Sequence, residues 1–119
     1  MVSTNRVFLA GYLAGDPVIR RVSTGTAVAN VRLAVNEYFK THEGVADKST
    51  CFVDVVVWDK QAEACADYLA KGSPVLVEGR LQYERWESPD GETRSRLRVK
   101  ADRVQFLSAR NRSAVPSSG

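Results

Sequence analysis

The sequence predicts an all-β chain with one short helix, folded as a five-stranded Greek-key barrel whose helix lies between its third and fourth strands. Three observations point there. Apolar and polar residues alternate along five separate runs, while helical spacing occurs in one stretch only. Glycines inside or beside the runs supply the bends and bulges that a small barrel needs. Closing the sheet also removes the exposed edges that an open five-stranded sheet would present.

The first run spans residues 6–13, with Val7, Leu9, Gly11 and Leu13 on the core side and Phe8 and Tyr12 outside. Asp16-Pro17 breaks it and residues 18–22 resume it, before Ser23-Thr24-Gly25-Thr26 turns the chain. Residues 27–38 form the second strand, with Ala29, Val31, Leu33 and Val35 inward and Asn30, Arg32, Asn36 and Tyr38 outward. Residues 39–50 carry no period and are expected to form a mobile polar loop.

In residues 51–58 the β-branched Val53, Val55 and Val57 share one face, and Phe52, Asp54 and Trp58 share the other. Asp54 between two rings marks that second face as wet. Asp59 then suits a helix cap, and Ala62, Cys65, Ala66 and Leu69 make one helical stripe. Gly72 is placed for a left-handed C-terminal cap, and Pro74 stops the helix. From Val75 the alternation returns. Val75, Val77, Leu81 and Tyr83 fall on one face and Glu78, Arg80, Gln82, Glu84 and Trp86 on the other. Ser88-Pro89-Asp90-Gly91 has the chemistry of a type I turn. Residues 93–101 form the fifth strand, and Val104 to Leu107 extend or end the sheet. A domain over 1–107 and a disordered tail over 108–119 follow. Five strands with the helix between the third and fourth describe the oligonucleotide/oligosaccharide-binding fold.

Composition narrows the function. The chain has 119 residues and a net charge of +3, so one domain with a modest core and a mild preference for acidic partners is expected. Cys51, Cys65 and the lone His42 cannot assemble an ordinary zinc site, and both thiols are expected to be buried. No nucleophile motif, phosphate loop or carboxylate cluster suggests an enzyme, and no metal or other cofactor is implied. No leader-like opening or apolar run of about 20 residues is present, so no membrane partner is expected.

Arg94, Arg96, Arg98 and Lys100 recur at period two and share a face. Taken alone they suit a solvated strand edge. The aromatics change that balance. Phe52, Trp58 and Trp86 fall on the non-core side and Phe39 opens the polar loop, interleaved with Arg32, Lys40, Lys48, Arg80 and Arg85. Rings offer flat surfaces to unpaired bases and cations track phosphates, which is how single strands are held without sequence readout.

The residues NRVFLAGYLAGDPVIR (5–20), GTAVANVRLAV (25–35), VVVWDKQAEACADYLAKGSPVLVEGRLQYERW (55–86) and DGE (90–92) resemble the bacterial-type single-stranded DNA-binding proteins. The resemblance covers residues 5–107. It implies that Phe39, Phe52, Trp58 and Trp86 stack bases, with Phe39 and Phe52 stacking less strongly than Trp would. It also implies a homotetramer whose dimer contact runs through the first strand. Its implied setting is the bacterial cytoplasm, at the nucleoid, in DNA replication, recombination and repair. Members usually continue into an acidic tip that recruits replication and repair proteins. This chain ends Ser117-Ser118-Gly119 with no acidic cluster, so a truncated protein or a short paralogue is expected. Val53 stands where the family often has His at a subunit contact. The alternative is a primosome-type adaptor barrel that acts mainly through protein–protein contacts.

Overall fold

The computed structural model describes residues 2–107, and the expected tail at 108–119 lies outside them. Its elements are β1 (Val7–Leu13), β2 (Val18–Arg21), β3 (Ala27–Lys40), β4 (Ala46–Trp58), α1 (Asp59–Tyr68), β5 (Pro74–Glu87) and β6 (Thr93–Phe106). The helix therefore follows the fourth strand by count. The difference arises at Asp16-Pro17, where the first strand run is split into β1 and β2, since proline cannot donate to a ladder.

The sheet order is β1-β5-β6-β4-β3-β2, and a further β1–β3 pairing closes it into a barrel. One edge of β3 bonds β4; its other edge bonds β2 through Ala27–Asn30 and β1 through Leu33 and Ala34. The two short strands thus act as one broken strand, and the Ala14 N–H bridges the break to the Arg32 carbonyl at 2.8 Å. Gly11 lies at the β1–β3 crossing, where any Cβ would collide with the Ala34 carbonyl. The close approach of two backbones at the seam explains a glycine there.

The interior is aliphatic. Leu13, Ala29, Val31, Leu33, Val55, Val57, Val75, Val77 and Val99 are buried, with Ala62, Cys65 and Leu69 of the helix stripe sealing them. The void among these residues is about 10 Å³, room for one water at most, and its lining is apolar. Burial pushes the Cys65 thiol up to about 11, which keeps it protonated and unreactive at neutral pH. Cys51, by contrast, is exposed. It pairs with Val35, which still packs against the core, at the rim where the β3–β4 hairpin begins to leave the barrel.

The same overrun corrects two further expectations. Residues 39–50 are not a loop: β3 and β4 stay paired out to Lys40 and Ala46, leaving only residues 41–45 as the turn. That turn closes through the Gly44 N–H to the Thr41 carbonyl at 2.9 Å, with Gly44 at φ 79°. Gly25 and Gly91 close the other two hairpins in the same way, a type I turn followed by one left-handed residue. Leu81 and Tyr83, expected to face the core, are exposed. Leu81 lies at the rim of the barrel, paired with the buried Val99, and Tyr83 lies beyond it, paired with the exposed Leu97 where β5 and β6 project past the core.

The helix ends differ from their sequence reading too. Asp59 is the first helical residue at φ 66°, Trp58 holds the cap position, and no side chain caps the helix. Gly72 is left-handed at φ 94°, but in a turn three residues beyond the Leu69 C-cap. The helix is tied instead through Gln61. Its side chain donates to the Asp102 carbonyl and accepts from the Val104 N–H, both at 2.8 Å. These are backbone groups flanking the β6 bulge, where Glu78 faces Arg103 and Gly79 faces Ala101. A side-chain amide carries both a donor and an acceptor group, so it can bridge such a gap.

Candidate nucleic-acid interface

Residues in register on neighbouring strands share a face. Phe52, Asp54, Val56 and Trp58 on β4 face Ala34, Arg32, Asn30 and Val28 on β3. Val56 also stands beside Lys100 of β6, and Lys100, Arg98, Arg96 and Arg94 face Arg80, Gln82, Glu84 and Trp86 of β5. The even-numbered positions of four strands therefore make one continuous outer face. It carries Phe52, Trp58 and Trp86 together with Arg32, Lys40, Lys48, Arg80, Arg94, Arg96 and Arg98. Lys100, which sequence reasoning did not select, belongs to it as well. Among these positions Asp54, Glu78 and Glu84 oppose the cations.

The face is not uniformly wet. Val28 and Val56 are fully buried on it, so an apolar floor underlies the Trp58 end. Trp58 is 37%, Trp86 42% and Phe52 54% exposed, each half-sunk with an open ring surface. Each has a cation over its ring: Arg32 lies 4.9 Å from Phe52, Arg96 5.4 Å from Trp86, and Lys100 Nζ 5.8 Å from Trp58. Positive charge is thereby held beside the surfaces on which bases could stack.

Phe39 and Arg85 fall on the other parity. Phe39 is 47% exposed and pairs with Asp47, on the face of the β3–β4 arm that carries Val35 and Cys51. Its even-numbered neighbour Tyr38 is the ring that shares the face of Phe52, and it is 75% exposed. The signal for Tyr38 was its outward parity in the second strand.

The arginines of β6 do not stand as a row of unrelieved charges. Glu84 accepts from Arg96 Nε at 2.7 Å and from Arg98 Nη2 at 2.8 Å, and Asp90 takes Arg94 at 3.2 Å. Arg98 has a side chain only 9% exposed, so it is held in place as much as presented. Arg32, Lys40, Lys48, Arg80 and Lys100 have no ion pair among the described residues. No cluster of His, Cys, Asp or Glu there could hold a metal ion.

Residues 4–107 match the model of the single-strand binding protein family. The chain belongs to that family. A relative in Chlorobaculum tepidum, named single-stranded DNA-binding protein 2, is 42% identical over 113 residues, covering 94% of this chain and 76% of its own length. A Bacillus cereus relative, named single-stranded DNA-binding protein, is 45% identical over 107 residues and covers 90% of this chain. This single-strand binding chain spans 62% of the length of that relative. Its fold matches the single-stranded DNA binding protein of Thermus aquaticus with a TM-score of 0.78 at 36% identity, covering 90% of this chain and 52% of the other. A Plasmodium falciparum SSB solved in complex with ssDNA shares the fold at a TM-score of 0.78 and 24% identity, covering 91% and 98%.

Glu84 gives the interface of this single-strand binding chain an acid limit. Its carboxyl is held below the usual 4.5, chiefly by the Arg96 hydrogen bond and then by the charge of Arg98, against some desolvation. A lowered folded pKa means that the stabilisation is complete above about 4.5 and is lost as pH falls through the lowered value. Glu84→Gln is expected to cost about 1–3 kcal/mol at neutral pH, because it leaves a buried arginine poorly matched. It should also flatten the fall in the urea midpoint between roughly pH 5 and pH 3. Equal slopes in the two proteins would contradict this role for Glu84.

Proposed function

We propose that this chain binds single-stranded DNA in a sequence-independent way and protects it during replication, recombination and repair, acting without catalysis. The observation that carries the proposal is the single outer face on which three half-exposed rings each lie beside a cation. Bases would stack on Phe52, Trp58 and Trp86, and on Phe39 or Tyr38 where the strand rounds the β3–β4 arm. Arg32, Lys40, Lys48, Arg80, Arg94, Arg96, Arg98 and Lys100 would follow the phosphates, with Arg85 reached only on the far face of its arm. The names of the relatives support the same reading, as does the absence, among the described residues, of any helix long and apolar enough to cross a membrane. The place of action that fits is the bacterial cytoplasm.

The chain would act as a homotetramer. β1 supports this: β5 covers one of its edges, but β3 meets the other only at Tyr12 and Leu13, which leaves a free edge beside the exposed rings of Phe8 and Tyr12. An uncovered edge is a template for strand pairing with a second copy. Light scattering at micromolar concentration is expected to give the mass of four chains, and a monomer alone would contradict the assembly.

Titration with oligo-dT, followed by tryptophan fluorescence, tests the binding itself. Both Trp58 and Trp86 are expected to be quenched at low salt. Trp58→Ala and Trp86→Ala should each weaken binding by about 1–3 kcal/mol, the general value of a stacked base in barrels of this kind. Affinity should fall steeply with salt as counterions are released. Unquenched fluorescence at low salt would overturn the proposal.

A further inference from the structure

We infer that the outer groove lined by Asn30, Arg32, Asp54, Arg96 and Arg98 accepts a guanine base in preference to thymine, with Asp54 as the group that reads it. This rests on the single-strand binding proposed above and names a base preference within it. The groove has a volume of about 340 Å³, within the range of small-ligand sites.

Asp54 stands on β4 between Phe52 and Trp58, next to Phe52 on that face, and directly opposite Arg32. That pairing invites an ion pair, yet the Arg32 guanidinium lies over the Phe52 ring. Among the described residues Asp54 has no hydrogen-bond or ion-pair partner. Asp16, the other carboxylate lining the groove, is committed to the Lys71 N–H at 2.8 Å. Asp54 is thus a free acceptor placed between two base-stacking rings, where a phosphate would be repelled. An ionised carboxylate only accepts hydrogen bonds, so it attracts whichever base edge donates to it.

The wall contributed by β6 holds the complement. Arg98 donates to Glu84 through Nη2, but its Nε is buried without a partner. The groove therefore offers one occupant a free acceptor on its β4 side and arginine side chains on its β6 side. Guanine presents two parallel donors, N1–H and the N2 amino group, with the O6 acceptor beside them. Its donors match the two oxygens of Asp54, and O6 suits the arginine wall. Thymine offers one N–H between two carbonyl oxygens that a carboxylate repels. Adenine and cytosine each offer one amino group next to an accepting ring nitrogen.

The test uses the full chain and oligonucleotides of about 15 nucleotides, the span of one such barrel. Each is oligo-dT with one central position replaced by dG, by deoxyinosine or by dC. Inosine keeps N1–H and O6 and lacks only the N2 amino group. The dG strand is expected to bind about fivefold more tightly than all-dT, the lower end for one bidentate base contact, with inosine between them. Asp54→Ala should bring the dG and dT affinities together. Equal affinity for the dG, inosine and dT strands, or a dG advantage that survives Asp54→Ala, would overturn the guanine site and leave single-strand binding standing. Failure of every strand to bind at low salt would overturn single-strand binding itself.

Discussion

Strand pairing in register across β3, β4, β6 and β5 forces their even-numbered side chains onto the outside of the barrel, and the rest of the interface depends on that constraint. No loop has to fold correctly to bring Phe52, Trp58 and Trp86 to one surface. The backbone ladder does it, and the ladder is held by a core of close-packed valines on the odd positions. A slip of one residue in any of these strands would exchange the two faces, burying charge and exposing the core. Register and binding surface are thus one property of the sequence, which is why a rigid scaffold can present a face wide enough to carry a flexible strand.

The outer face is built from opposed demands. Cations attract a strand but repel one another, and aromatic rings need to be open yet held. Placing a cation over each ring meets part of both demands: the ring face shelters the charge, and the charge steadies the ring. Glu84 meets another part by bridging two arginines of β6 at once. The exposed ion pairs elsewhere, such as Arg21 with Glu63 and Arg6 with Asp102, are ordinary surface contacts worth little to stability. Asp54 differs from all of these carboxylates, because it stands on the outer face with no hydrogen-bond or ion-pair partner among the described residues.

Much of the fold was legible because alternation survives wherever a strand has a core beneath it. Ala29, Val31 and Leu33, and Val55 and Val57, lie where their parity placed them, and the stripe of Ala62, Cys65 and Leu69 seals the barrel as its spacing implied. The reading failed where strands outran the barrel. Cys51 and Leu81 keep inward parity at the rim and Tyr83 beyond it, and a sequence does not state where a barrel stops. Residues 39–50 looked aperiodic for the same reason, since a two-stranded arm with water on both faces has no apolar side to mark it. Asp59 misled because its residue type suits a cap, whereas its backbone took a positive φ inside the helix instead. On the outer face, the parity read from the sequence placed Phe52, Trp58 and Trp86 but could not show that Phe39 lies across the arm from Phe52, or that Lys100 stands over Trp58.

Photocrosslinking a 5-bromouracil-substituted oligo-dT to the full chain, with the attachment sites mapped by mass spectrometry, tests the shared outer face most directly. A strand laid across β3, β4, β6 and β5 gives crosslinks at Phe52, Trp58 and Trp86, and none at Phe8, Tyr12 or Leu97. Crosslinks concentrated on β1, or on the odd-numbered face of the β5–β6 arm, would contradict it.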